Sequence, residues 1–371
     1  MPSARALGRT ATAVKRCPRP TRARRKGAVF LNTKKRGRQT VRFATPPSIA
    51  GFGSTVGRME RAGPLGPCFD LAGEDDTFGQ PSWEKAETAM QKQALTFALD
   101  RAGIQGEQLD YVFAGDLLNQ CIATAYSLRD WSIPFFGLYG ACSTMAEGLS
   151  LAAMVIDGGF AAYAAAMTSS HFCSAERQYR SPLEYGGQKP PTAQWTATGA
   201  GAVILAQGGP GPYITHATTG KVVDKGITDA SNMGAAMAPA AYATLRAHFE
   251  ETGRGPEFYD AIVTGDLGSL GKEIVLDFFR QDGVALPHYD DCGVLLFDPA
   301  RQDVHAGGSG CGCSAVVLTG YLLGKMRRGE CRHLLFCGTG ALHSPTATMQ
   351  GESIPGICHA VAIAAEKGDT P

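Results

Sequence analysis

The residue best placed for chemistry in this chain is Cys142, in the stretch Ile133-Pro-Phe-Phe-Gly-Leu-Tyr-Gly-Ala-Cys142-Ser143-Thr. A short apolar run, read as a buried strand, meets a Gly-Ala turn there. It gives way to a helix of small and apolar residues that Gly158-Gly159 stop. A cysteine opening such a helix faces the unpaired N–H groups of the first turn and the positive end of the helix dipole, and both favour a thiolate. The expectation is a lowered thiol pKa, raised nucleophilicity and a turn that attracts anions. The plainer alternative is a small apolar filler.

A second turn of the same kind lies far down the chain, Gly307-Gly308-Ser309-Gly310-Cys311-Gly-Cys313, and it too opens a helix. Its two sulfurs lack complementary Cys or His at metal spacing, so a zinc site is not expected. His171 and His343 each follow an apolar strand and could reach a cleft between the two turns; a satisfied turn histidine is the plainer role for each. Cys337, before Gly338-Thr-Gly340, reads best as a core cysteine at a strand end.

The elements that position these turns recur in register. Asp110-Tyr-Val-Phe-Ala-Gly-Asp116-Leu returns as Asp260-Ala-Ile-Val-Thr-Gly-Asp266-Leu, each time ahead of a glycine-flanked cysteine, a helix, a strand and a polar turn. A repeat of this kind is stronger evidence than any one turn. Alternating strands and helices predict parallel strands covered by helices. Two such halves imply a pseudo-two-fold, with the Cys142 turn and the Gly307-rich turn meeting in a ligand-holding cleft. Elsewhere, Ser82 and Gly103 bracket a helix over 83–102. Gly51 to Pro67 reads as a glycine-rich loop, and 181–198 and 221–240 read as long irregular segments of the kind that form lids or interfaces.

With 371 residues, 44% of them hydrophobic, the chain can bury a large core. Fifteen Lys or Arg and no acid precede Met59, whereas 20 basic residues face 34 acidic ones beyond it. That balance, near −14, argues against a body that binds nucleic acid. Residues 1–36 are expected to be a basic, disordered extension lacking the apolar core of about seven residues or more that a signal peptide needs. Eleven scattered cysteines argue for a reducing interior rather than a disulfide scaffold. No apolar run is long enough to span a membrane.

Gly-Ala-Cys142-Ser143-Thr on a strand-to-helix turn inside a duplicated half resembles the nucleophile turn of the thiolase superfamily. Further stretches are similar to the stage V sporulation protein AD family within it: Ala114-Gly-Asp-Leu-Leu-Asn-Gln120, Thr168-Ser-Ser-His171, Ala175-Glu-Arg-Gln178, Gly234-Ala-Ala-Met-Ala-Pro-Ala240 and Asp290-Asp-Cys-Gly293. The likeness runs from about Gln39 to the C-terminal end. It implies an α/β, thiolase-like five-layer fold of two duplicated βαβαβ halves, 37–207 and 208–371, related by a pseudo-two-fold. It further implies a sporulation and germination protein that binds dipicolinic acid (pyridine-2,6-dicarboxylate), alone or as its calcium chelate, for uptake into the developing spore. The implied partners are membrane proteins of the same operon, with the chain peripheral on the cytoplasmic side of the forespore inner membrane. A homodimer is also implied; no cofactor, metal or nucleic acid is.

Where condensing synthases carry a histidine after the second-half strand, this chain has Gly265-Asp266. Where thiolases and synthases have His or Asn in the second glycine-rich turn, it has Gly308 or Ser309. Neither replaces an imidazole near neutral pH. A non-catalytic binder is therefore expected, with two helix N-termini gripping a planar dianion. The expected ligand-binding residues are Cys142, Ser143, His171, Gly308, Ser309, Gly310 and Cys311. The alternative is an acyltransferase or condensing enzyme in which Cys142 accepts acyl groups from coenzyme A thioesters.

Overall fold

The helix α1 (Trp83–Ala102) forms between its two predicted caps: the Ser82 side chain accepts from the Lys85 N–H, and Gly103 ends the last turn. The computed structural model describes residues 34–179 and 189–367, so the expectations for residues 1–33 and 181–188 lie outside the described residues. Beyond α1, ten strands carry the architecture. The first half contributes β1 (Ser48–Val56), β2 (Tyr111–Asp116), β3 (Phe135–Gly137), β4 (Tyr163–Ser170) and β5 (Gly199–Ala206). The second contributes β6 (Tyr213–Thr218), β7 (Ala261–Thr264), β8 (Tyr289–Asp291), β9 (His333–Ala341) and β10 (Gly356–Ala364).

The duplication is exposed by the pairing. The first half is ordered β3-β2-β4-β5-β1 and the second β8-β7-β9-β10-β6, each half parallel at its outer strands and antiparallel at its inner ones. The halves join through the single register pair Ser48 and Tyr213. Short segments add edges, Thr40–Arg42 against β6 and Leu71–Ala72 against β1.

Helix α2 (Ile122–Leu128) packs on α1, and α3 (Thr144–Asp157) lies between the halves, touching β2 and β4 on one side and β9 and β10 on the other. The sequence explains this, because Met145, Ala146, Leu149, Ala152, Ala153 and Ile156 are all buried and cover most of the helix surface. After the short helix α4 (Phe172–Tyr179), the outer layer of the second half is built by α5 (Met233–Thr252) and α6 (Gly268–Gln281). The last long helix, α7, runs as Cys311–Val316, a π-helical stretch Val317–Leu322 and Leu323–Arg327, and it packs on β4 and β5. Helix and sheet thus alternate in five layers.

Three local expectations are corrected. The stretch from Gly51 onward is not a loop: Gly51 to Val56 belongs to the nine-residue strand β1 at the centre of the sheet. Its glycines are there because α1 lies against them. A Cβ on Gly51 would stand 2.1 Å from the Ala98 carbonyl oxygen, and one on Gly53 would stand 2.3 Å from that of Ala94. The segment before Cys142 is not a buried strand either; β3 is the last strand of its half and leaves Phe136 53% exposed. Finally, α5 starts inside the supposedly irregular 221–240 segment, capped by Asn232 accepting from the Ala235 N–H.

Candidate functional site

The chain reaches Cys142 through a strained turn. Ala141 adopts φ +52°, and a 3₁₀ turn, Ala141–Ser143, precedes α3, which starts at Thr144 rather than at the cysteine. The turn satisfies itself: the Ser143 hydroxyl donates to the Gly140 carbonyl at 2.7 Å, and the Thr144 hydroxyl to that of Ala141 at 2.7 Å. From the second half, Gly310 at φ +93° turns the chain into α7. A side chain there would meet the Ser170 hydroxyl at 2.7 Å.

Between the two turns lies Asp266, fully buried at the end of β7. One carboxylate oxygen accepts from the Thr339 hydroxyl at 2.7 Å; the other accepts from the Gly310 N–H at 3.0 Å and the Ser309 hydroxyl at 3.2 Å. The Cys142 thiol lies close enough to this carboxylate to feel its charge. Burial raises the Asp266 pKa. Burial, reinforced by the Asp266 charge and by Cys311, pushes the Cys142 thiol well above its ordinary value.

This reverses the expectation for Cys142. The helix-end N–H groups were to hold a thiolate, but desolvation and an adjacent carboxylate outweigh them, and the proton stays on sulfur. The facing helix ends are likewise partly taken up within the fold. Gly310 gives its N–H to Asp266, Gly312 gives its own to the Ser170 hydroxyl at 3.0 Å, and the Ser143 N–H goes to the Gly140 carbonyl at 3.2 Å. Asp266 occupies the anion position itself.

Beside this pair opens a cavity of about 260 Å³. Ala141, Cys142 and Ser309 line one end, Tyr139, Tyr179 and His343 provide aromatic walls, and Glu176, Gln194, Thr196, Ser231 and Met233 complete it. The Tyr179 and His343 rings lie 5.7 Å apart, and the Tyr179 hydroxyl donates to the Leu117 carbonyl at 2.6 Å. Gln194 spends its amide N–H groups on the Asp266 and Gly308 carbonyls, both at 2.7 Å. Its oxygen is buried with no hydrogen-bond partner among the described residues. Lys189 pairs with Glu176 at 3.2 Å and lies over the stacked rings of Phe172 and Trp195.

Of the residues expected here, Cys142 and Ser309 line the cavity, and His343 reaches it. Ser143 is turned back into its own loop, and Gly308 is held in a two-residue strand against Trp195. Cys311 is fully buried, its thiol donating to the Ser169 carbonyl at 2.9 Å, although it packs in one apolar cluster with Cys142, Leu117 and Ala175. His171 does not line the cavity; one ring nitrogen is 2.6 Å from the Asp76 carbonyl and the other accepts from the Cys173 N–H at 3.2 Å. Cys337 is fully buried in the second-half core. Among the described residues, no group of three His, Cys, Asp or Glu is placed to hold a metal ion, all ten cysteines are free, and no helix is long and apolar enough to cross a membrane.

Sequence reasoning missed Tyr139, Glu176, Tyr179, Gln194, Ser231 and Met233. Two faint signals were available. Ala175, Glu176 and Tyr179 fall within one helical turn of each other, and Gln194 and Thr196 alternate as neighbours on one strand face would.

A family model described as stage V sporulation protein AD matches residues 37–364. The stage V sporulation protein AD of Bacillus subtilis is 45% identical over 326 residues, covering 88% of this chain and 96% of the relative. Among solved structures, the chain is similar to 3-oxoacyl-[acyl-carrier-protein] synthase III of Aquifex aeolicus, with a TM-score of 0.52 and 13% identity over 86% of this chain and 99% of that one. The corresponding synthase of Xanthomonas oryzae gives a TM-score of 0.55 at 15% identity, over 86% and 98% of the two chains. At such identities the likeness to the synthases is one of fold.

Proposed function

The chain belongs to the stage V sporulation protein AD family, and from that premise we propose that it binds dipicolinic acid in the cavity beside Cys142, without turnover, for uptake into the developing spore. The observation that carries this reading is the burial of Cys142 beside the buried Asp266 carboxyl group. A nucleophile needs a base whose proton affinity matches its own. Here burial, and then the charge of Asp266, drive the thiol's pKa well up, so the sulfur keeps its proton.

The cavity suits a small flat acid. Its roughly 260 Å³ lies just under the ~300–1,000 Å³ of sites for drug-sized ligands. Tyr139, Tyr179 and His343 supply ring faces for a pyridine. The hydroxyls of Tyr139, Thr196 and Ser231 supply donors for its carboxylates, and Lys189 offsets the charge of Glu176 that such a ligand would meet. The same reading takes the protein to be peripheral, on the cytoplasmic side of the forespore inner membrane, held there by membrane proteins of its operon. Calorimetry with dipicolinate, with and without calcium, tests the binding. Heat that saturates, and that falls at least tenfold in affinity when Ser231→Trp narrows the cavity, supports it; absence of binding under both conditions ends it.

A second reading is favoured by the position of Cys142 in the cavity wall. On that reading Cys142 accepts an acyl group from a coenzyme A thioester. Incubation with such thioesters would then give a mass increase that Cys142→Ser abolishes.

A further inference from the structure

A second hollow, of about 380 Å³, lies away from the Cys142 cavity, where the edge segment Thr40–Arg42 and β6 meet the C-terminal end of α5. Arg42 and His216 are register partners across that antiparallel pair, so their side chains share one face. Arg36 and Arg254 complete the lining, which brings three guanidinium groups around one imidazole.

Of these, Arg36 and Arg42 bring charge that the carboxylate of the hollow offsets only in part. Glu251 is the carboxylate that lines the hollow, and its oxygens are engaged by the backbone N–H groups of Arg38, Gln39 and Thr40 at 2.6–3.2 Å. No carboxylate lies within ion-pair distance of Arg36 or Arg42 among the described residues. Arg254 is only 6% exposed, its guanidinium seated 4.4 Å over the Phe258 ring and hydrogen-bonded by Tyr259. His216 is 4% exposed, with Nδ1 3.0 Å from the Thr215 hydroxyl. Burial, then the charges of Arg254, His248, Arg42 and Arg36, hold its pKa down at about 3. Behind it, His248 is tied to Thr218 and to Tyr259, at 2.8 and 2.6 Å.

We propose that this hollow binds a phosphate-class anion, with Arg36 and Arg42 as an outer clamp and Arg254 and His216 beneath. Arginine forks match paired phosphate oxygens, and Arg254 is already fixed, so little side-chain ordering is lost on binding. In the tautomer whose Nδ1 accepts from Thr215, the single N–H of the neutral imidazole sits on Nε2 and donates to the anion. The anion could be free phosphate or the phosphate of a lipid headgroup.

The test titrates inorganic phosphate into the full-length chain and follows the imidazole resonances of His216 and His248. Saturable movement of His216 is expected, with affinity at least tenfold weaker in Arg42→Gln, intermediate in Arg42→Lys and lost in the Arg36→Gln, Arg42→Gln double variant, whose thermal unfolding matches wild type. Lack of a saturable His216 response, or unchanged affinity in the double variant, overturns the proposal. Flotation with phosphatidylglycerol against phosphatidylcholine vesicles separates the two sources. Loss of phosphatidylglycerol flotation in the double variant points to a headgroup, and phosphate binding without such a loss points to the free ion.

Discussion

The thiol of Cys142 and the carboxyl group of Asp266 come from opposite halves of the chain and are buried beside each other, so that charge on Asp266 opposes ionisation of the thiol. The same Asp266 accepts from the Gly310 N–H and the Thr339 hydroxyl. It therefore sits at the head of α7 and adds to the burial that keeps Cys142 protonated.

Reactivity at Cys142 follows from that pairing. In the wild-type chain, alkylation of Cys142 at pH 8 is expected to be slow. Asp266→Asn removes the charge that disfavours a thiolate, and each unit by which the thiol pKa then falls raises the thiolate fraction about tenfold. Mass spectrometry of iodoacetamide-treated protein measures both rates. Rapid wild-type labelling at Cys142, unaltered by Asp266→Asn, would contradict the role assigned to the Asp266 charge.

Stability should fall as pH rises through neutrality. Burial pushes Glu60 and Glu87 up to about 8 and Asp291 up to about 7, with Asp116 adding to the effect on Glu87. Between their unfolded pKa values near 4 and these folded values, the native state holds protons the unfolded state has lost, so stability declines with increasing pH. His216, His248 and His359, held neutral down to about 3, 3 and 4, act oppositely and only below about 6.5. The decline should accordingly be clearest from pH 6.5 to 8. Glu60→Gln should flatten it by up to about 1.4 kcal/mol per pH unit. Urea unfolding at several pH values reads this directly, and a parallel slope in Glu60→Gln would show that Glu60 is ionised in the fold.

Packing between α1 and β1 is equally open to test. Gly53→Val places a side chain on the Ala94 carbonyl and should cost about 1–3 kcal/mol or more. Leu149→Ala on α3, buried between the two halves, should cost about 2–5 kcal/mol. Both are measured by denaturant midpoints. A Gly53→Val protein as stable as wild type would mean that α1 does not approach β1 this closely.

Much of the fold could be read along the chain because its signals are local. The caps Ser82 and Gly103 define α1 by hydrogen bonds within one turn, and the returning Gly-Asp-Leu, at the end of β2 and directly after β7, marks equivalent positions in both halves. β1 was misread because glycines that permit close approach of a helix look, in isolation, like glycines that permit a turn. Nothing local separates the two.

The sequence by itself determined that two similar halves exist, that each presents a glycine-flanked cysteine turn, and that Gly265-Asp266 rather than a histidine directly follow β7. Tertiary structure alone decided the state of the site. A thiol's pKa is set by the water it loses and by the charges that surround it, and both depend on which distant residues arrive beside it. Asp266, seen in the sequence only as an imidazole that was missing, proves to be the charge beside the Cys142 thiol and the group that fills the anion position at the start of α7.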